Sequence, residues 1–231
     1  MAVYTEPPEV VTGQTMTATN WNSWVRTNFQ AVWVWTTAGD IAYASAANQL
    51  SRLGIGGVGA LLLSTGSAPA WLALGTAGQA LRSDGTNSAW GGMRGASVKR
   101  TTNQSIATSS YTAISWNSEV LDTAAFYASG SPTRFTIPRT SNFLIGAKAE
   151  FAAFGYTGYG ELKIYKNGSS VYLEDSAYSV AAGGVAVRLN TIGLLAASAG
   201  DYFEAYVWQN TGDTVNLSAN RCFFYIIDVG P

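Results

Sequence analysis

The sequence predicts a mainly β protein, with a C-terminal β-sandwich preceded by a short glycine-rich repeat segment and an N-terminal segment carrying one amphipathic helix. Three observations predict it. Residues 96–231 alternate apolar and polar side chains at period two in successive runs, with turn residues between them. Residues 39–95 echo themselves at an offset of nineteen. Only 12% of the residues are charged, and Ser, Thr, Ala, Gly and Asn supply the surface instead, a mixture suited to rigid β-rich assemblies.

Residues 1–38 start extended, because Pro7-Pro8 forbids helix and Gly13 marks a turn. In "TNWNSWVRTNFQAVWVW" the side chains of Trp21, Trp24, Val25, Phe29, Val32 and Trp33 recur at spacings of three, four and seven or eight. That period predicts a helix, with Thr19 or Asn20 as its N-cap. The stripe is too apolar for a lone helix to leave in water. Trp21, Trp24, Phe29 and Trp33 are therefore assigned to packing against neighbouring copies or the chain's own domain, or to docking on a larger assembly.

Residues 39–95 contain Gly54-x-Gly56-x-x-Gly59, the glycine pattern of a dinucleotide cradle. The context excludes that reading: Gly66 and Pro69 interrupt any following helix, and no acidic residue appears until Asp84. What the glycines belong to is a repeat. Ile55-Gly56, Gly59, Leu62, Ser64, Gly66 and Ala70-Trp71 recur as Leu74-Gly75, Gly78, Leu81, Ser83, Gly85 and Ala89-Trp90. Each copy has few large apolar residues and several glycines, which cost extra entropy to order. Such units become stable when identical chains wind around one axis, and three-fold symmetry is the expected arrangement. Leu62, Trp71, Leu81 and Trp90 are the expected packing residues of this shaft.

In residues 96–231, "ELKIYKNGSSVYLED" carries Asn167-Gly168, a hairpin signal for a two-residue turn. Pairing across it is expected to set Ile164 opposite Val171 and Leu162 opposite Leu173, with Lys163 and Tyr172 on the other face. In "DYFEAYVWQN", Phe203, Ala205 and Val207 face one way; Tyr202, Glu204, Tyr206 and Trp208 face the other. The last run, "RCFFYIIDVG", is apolar on both faces, so it is expected to be central or covered by another subunit. About eight to ten strands without helix predict a jelly-roll sandwich.

The chain has no histidine and one cysteine, Cys222, which removes His-based triads, His-containing zinc sites and intramolecular disulfides. Cys222 is expected to be a buried small apolar residue. A net charge of −1 with scattered Lys and Arg offers no nucleic-acid footprint. "MAVYTEPPEVV" is not a signal peptide, and no apolar run is long enough to span a membrane, so synthesis in a cytoplasm without membrane insertion is expected. No cofactor or metal is expected. Glycan cleavage would need two facing carboxylates. The candidate pairs, Glu119 with Asp122 and Glu174 with Asp175, are read as strand or hairpin ends, and no enzymatic activity is expected.

"GQTMTATNWNSWVRTNFQAV" and "GDIAYASAANQLSRLGIGGVGALLLSTGSAPAW" resemble bacteriophage fibre and virion-surface proteins, through Gly39-Asp40, Tyr43-Ala44, Arg52-Leu53 and Trp71. Thr27 stands where an acidic residue usually follows the Arg in that pattern. "RFTIPRTSNFLIGAKAEF" and "LAASAGDYFEAYV", with its Gly200-Asp201 turn, resemble the trimeric jelly rolls of the tumour necrosis factor and complement globular-head superfamily. Together the resemblances imply a homotrimer on a virion surface, with residues 1–38 docking to other virion proteins, 39–95 as spacer and 96–231 as head. The head would attach to a host surface glycan or protein. The alternative is a capsid decoration or head fibre that stabilises the shell or adheres weakly. Exposed aromatics among small residues, Tyr156 and Tyr159 in "FGYTGYGE" and Trp208 at a strand end, are the candidate receptor contacts.

Overall fold

The computed structural model describes residues 12–47, 49–83, 86–152, 157–179 and 186–230. The chain divides into two compact units, Met1–Gly92 and Met93–Pro231.

In the first unit the helix begins earlier than the sequence suggests. Thr17 is the N-cap, its Oγ1 accepting from the Asn20 N–H at 3.1 Å, in place of Thr19 or Asn20. An α turn at Ala18–Asn20 passes into a π-helical stretch at Trp21–Arg26 and back to α at Thr27–Val32. Thr27 N–H bonds the Asn22 carbonyl five residues back, the extra residue per turn that defines a π stretch. Trp21, Val25, Phe29 and Trp33, four apart, line one groove with Arg26 and Gln30.

Three antiparallel hairpins follow: β1 (Ile41–Ala46) with β2 (Gln49–Leu53), β3 (Leu61–Ser64) with β4 (Pro69–Leu72), and β5 (Ala80–Ser83) with β6 (Ser88–Gly91). Each is entered by the same turn. The N–H groups of Asp40, Ala60 and Gln79 bond the carbonyls of Thr37, Gly57 and Thr76 at 3.1, 3.0 and 3.1 Å. The residue before each donor is a glycine at positive φ, Gly39 (89°), Gly59 (75°) and Gly78 (84°), as a type II turn requires. The repeat therefore has three structural copies where the sequence shows two. Trp71 Nε1 donates to the Gly54 carbonyl at 2.7 Å and Trp90 Nε1 to the Ala73 carbonyl at 2.6 Å. In the first copy Arg52 stands in the tryptophan's place, bonded to Thr36 Oγ1 and ion-paired with Asp40 at 3.0 Å. An ion pair replacing an indole is why that copy is hidden.

The repeat glycines make room for those rings. A Cβ on Gly56 would lie 2.6 Å from the Trp71 ring, and one on Gly75 would lie 2.6 Å from that of Trp90. Gly56→Ala should cost about 1–3 kcal/mol of local stability. Amide hydrogen exchange in residues 54–72 should then quicken roughly ten- to hundredfold while the second unit is unchanged; unchanged exchange would contradict the ring-over-glycine account.

The second unit contains twelve strands and no helix among its described residues. One sheet runs β10 (Ser118–Asp122), β7 (Gly95–Arg100), β18 (Cys222–Gly230), β12 (Ser141–Phe151), with β15 (Val187–Ala197) also on β12. The end of β12 meets β17 (Val215–Leu217), which pairs with β8 (Gln104–Ile106). The other sheet runs β11 (Arg134–Thr136), β16 (Tyr202–Gln209), β13 (Gly158–Lys166), β14 (Ser170–Ser179), with β9 (Thr112–Ala113) on β16. The pairs nest: β7 with β18, β11 with β16, β12 with β15, β13 with β14. A long antiparallel ribbon wound into two facing sheets gives this order, which is the jelly roll.

Alternation dictates what lies between the sheets. Phe203, Ala205 and Val207 of β16 are buried, as are Phe143, Ile145, Ala147 and Ala149 of β12. Phe224 of β18 stacks on Phe135 of β11 from the opposite sheet, with centroids 4.4 Å apart, and on Trp116 at 5.7 Å. Strand β18 is central in its sheet, and Cys222 is buried with its thiol pushed up by desolvation.

The β13–β14 register differs from the expected one. Asn167 and Gly168 both take positive φ (54° and 68°), but Lys166 pairs with Ser170, so the turn takes in Ser169 as well. A register shift between Ile164 and Tyr165 absorbs one residue, setting Ile164 opposite Leu173 and Leu162 opposite Asp175. This bulge keeps Leu173 against the core and gives Lys163 Glu174 as its cross-strand partner. The turn is tied to a neighbouring one: Asn167 Nδ2 donates to Asp201 Oδ1 and the Tyr202 N–H to Asn167 Oδ1, each at 2.9 Å.

Asp201 is held at a pKa of about 2 by Lys166, Asn167 and the Ser198 N–H. Asp228 also lies below its usual range; burial raises it, but Arg139, Ser141 and Gly230 N–H outweigh that. Carboxylates depressed in the folded state stabilise it fully above their unfolded pKa, near 3.8, and lose that contribution as pH falls through the folded value. The second unit's thermal midpoint should stay level from neutral pH to about 5 and drop between about 4 and 2. Asp201→Asn should lower the neutral-pH midpoint and flatten the drop, measured by calorimetry; an unaltered profile would contradict the assignment.

Candidate functional site

The two sheets present different outward faces. On the first, Leu194, Leu144 and Ile227 sit opposite one another across β15, β12 and β18, and Ile192, Gly146 and Tyr225 form the next row. Gly146 is required there, because a Cβ would run into the Tyr225 phenol. Leu194 is 66% exposed, Ile192 50% and Val229 53%, so a contiguous apolar surface lies open on a single chain.

On the second sheet, Tyr159, Glu161, Lys163 and Tyr165 point outward from β13, and Tyr202, Glu204, Tyr206 and Trp208 from β16. Tyr111, in the loop before β9, covers part of this face: its ring lies 6.2 Å from Trp208 and 6.3 Å from Tyr165. The Tyr111 hydroxyl donates to Glu161 Oε2, the same oxygen takes Lys163 Nζ at 3.1 Å, and Lys163 lies 5.0 Å above the Tyr111 ring. Burial raises the Glu161 pKa, but the bonds from Tyr111 and Lys163 outweigh it and the net shift is downward. Burial and Glu161 push the Tyr111 phenol up, and Lys163 is raised by Tyr111 and Glu161. At neutral pH the trio is fixed as phenol, carboxylate and ammonium.

Of the predicted contact residues, Tyr156 lies outside the described residues. Tyr159 and Trp208 lie on the same outward face of adjacent strands, Tyr159 opposite Tyr178 of β14 and Trp208 opposite Glu161. The Tyr159 and Tyr178 rings are 4.7 Å apart. Of the helix residues, Trp21, Phe29 and Trp33 line the groove described above and Trp24 is half-buried. The shaft residues are joined as cross-strand pairs, Leu62 with Trp71 and Leu81 with Trp90. Sequence reasoning missed Tyr111 and Tyr178. The tyrosine at 178 comes directly opposite Tyr159 only once the bulged register is known, and a loop residue such as Tyr111 carries no periodic signal.

The acid pairs weighed for hydrolysis organise backbone or ion pairs. Asp122 accepts from the N–H groups of Ala124, Phe126 and Tyr127, Asp175 from that of Asn190, and Glu174 pairs with Lys163 at 3.5 Å. Among the described residues no cluster of three or more Cys, Asp or Glu is placed to hold a metal, and no helix is long and apolar enough to cross a membrane.

No family model matches the chain, and no curated protein sequence matches it. Solved structures do. The chain is similar to the Eiger TNF of S. frugiperda (12% identity, 60% of this chain and 93% of that one, TM-score 0.45). It is also similar to murine APRIL at pH 5.0 (12% identity, 59% and 99%, TM-score 0.46) and at pH 8.0 (14%, 59% and 99%, TM-score 0.44). These neighbours are jelly-roll proteins of the tumour necrosis factor family. The second unit's assignment to that β-sandwich fold stands on its own strand pairing.

Proposed function

We propose that the chain is a structural bacteriophage virion protein. It is a homotrimeric fibre or spike, anchored to other virion proteins through residues 1–38 and attaching to the host cell surface through its C-terminal sandwich. The observation that carries this reading is apolar surface left open on one chain in every part. It comprises the Leu194–Leu144–Ile227 face, Leu62 and Leu81 in the hairpins, and Trp21, Phe29 and Trp33 on the helix. Monomeric proteins rarely leave that much exposed, and symmetric copies close it economically. The virion assignment rests on the sequence resemblances of residues 13–71. The proposal assigns no catalysis and no cofactor.

A capsid decoration or head fibre is the second reading, favoured by the short repeat segment, which shows three hairpins among its described residues. Cryo-microscopy of purified particles tests both. Three-fold density that accommodates the sandwich is expected, with residues 1–38 at the particle; absence of the chain from particles would overturn the proposal. Particles lacking the chain should lose adsorption if it is an attachment fibre. If it decorates the shell, they should keep adsorption and release their genome at a lower temperature.

A further inference from the structure

We infer that the outward face of the second sheet binds a neutral saccharide, one pyranose ring lying against Tyr159 and Tyr178 with its hydroxyls toward Glu161 and Trp208. This rests on the attachment reading and names its ligand class. The two tyrosines face each other across β13 and β14 and are each about half exposed, 48% and 52%. Planar rings give a sugar's C–H face contact area at low entropy cost.

The backbone under Tyr159 is tied in place. Tyr159 N–H donates to Asn210 Oδ1 at 2.6 Å, and Asn210 N–H donates back to the Tyr159 carbonyl at 3.2 Å. The glycine beside it, Gly160, sets the strand hard against the core, since a Cβ there would come within 3.0 Å of Phe151. Preorganisation of this kind removes an ordering cost from binding.

Polar capacity remains beside the rings. Glu161 is the next outward residue on β13, and both of its partners, Tyr111 and Lys163, use Oε2; Oε1 accepts from no described group. Directly opposite, the Trp208 indole N–H donates to no described group. An ionised acceptor and a neutral donor with no described partner thus stand opposite each other on β13 and β16, a match for sugar hydroxyls. The charge balance selects against anions: Lys163 is paired with both Glu161 and Glu174, so two carboxylates face one occupied ammonium. Sialylated or phosphate-bearing polymers would meet net negative charge.

The test applies the full-length chain to an array of defined neutral oligosaccharides of glucose, galactose and N-acetylglucosamine, alongside sialylated and glycerol-phosphate members. Retention by neutral members is expected. Tyr178→Ala should weaken it about tenfold, as loss of one ring contact implies. Trp208→Phe, which keeps a ring and deletes the N–H, should weaken it several-fold, with thermal midpoints close to that of the parent. The inference is overturned if no neutral member is retained at millimolar concentration, if only anionic members are, or if both variants bind as the parent does. Host-cell binding separates the two readings. Cell binding that the retained saccharide fails to compete overturns the saccharide inference and leaves attachment standing, whereas saccharide retention without cell binding overturns attachment alone.

Discussion

Replacing Phe224 by alanine should destabilise the second unit by about 3–5 kcal/mol. The ring is fully buried on the central strand β18 and is stacked between Phe135, 4.4 Å away and tilted by 13°, and Trp116, 5.7 Å away and tilted by 17°. Phe135 belongs to the opposite sheet, so the deletion opens a void that reaches from one layer to the other. Neither sheet can close on it cheaply, because β18 is hydrogen-bonded on both sides by β7 and β12. Urea unfolding followed by circular dichroism should show the midpoint shift at unchanged slope. Cys222→Ala, one side chain away on the same buried face, removes a single atom and should cost far less. Equal losses at the two positions would contradict the stacked core.

If the chain assembles as the proposed trimer, Leu194→Glu should convert it to single chains while leaving each chain folded. Leu194 is 66% exposed on one chain, so a glutamate there is solvated when the chain is alone. In an assembly closed over the Leu194–Leu144–Ile227 row the same carboxylate would be buried without a partner. Such burial costs several kcal/mol per site, and the proposed three-fold symmetry would impose it three times. The dissociation midpoint should rise at least about a thousandfold in concentration, with an unaltered far-ultraviolet spectrum. Ser176→Glu, on the exposed part of the other sheet, should leave assembly intact.

The strands, their inward faces and the central place of β18 were legible because period-two alternation survives in a single sequence. Phe203, Ala205 and Val207 are buried as that alternation requires. The hairpin register was not legible, because a one-residue turn extension and a compensating bulge cancel in the pattern of faces while moving every partner. The third repeat was hidden where Arg52 with Asp40 replaces an indole hydrogen bond, a substitution that keeps the connection and changes the letter. The helix start moved because its cap is made by Thr17, one of several Thr and Asn side chains near the start that could each cap. Tyr159 could be chosen as an aromatic of a glycine-rich segment expected to be a loop, which the structure instead places in β13, and Trp208 as an aromatic at a strand end. Their ring neighbours, Tyr178 and Tyr111, come from a shifted strand and a loop, and only three-dimensional pairing brings them alongside.

All of the functional reading depends on copies of the chain closing its open apolar faces. Sedimentation equilibrium of the intact protein at micromolar concentration measures that directly. A single species of three times the 24.4 kDa chain mass is the predicted result. A species of one chain mass, stable over a hundredfold range of concentration, would contradict it.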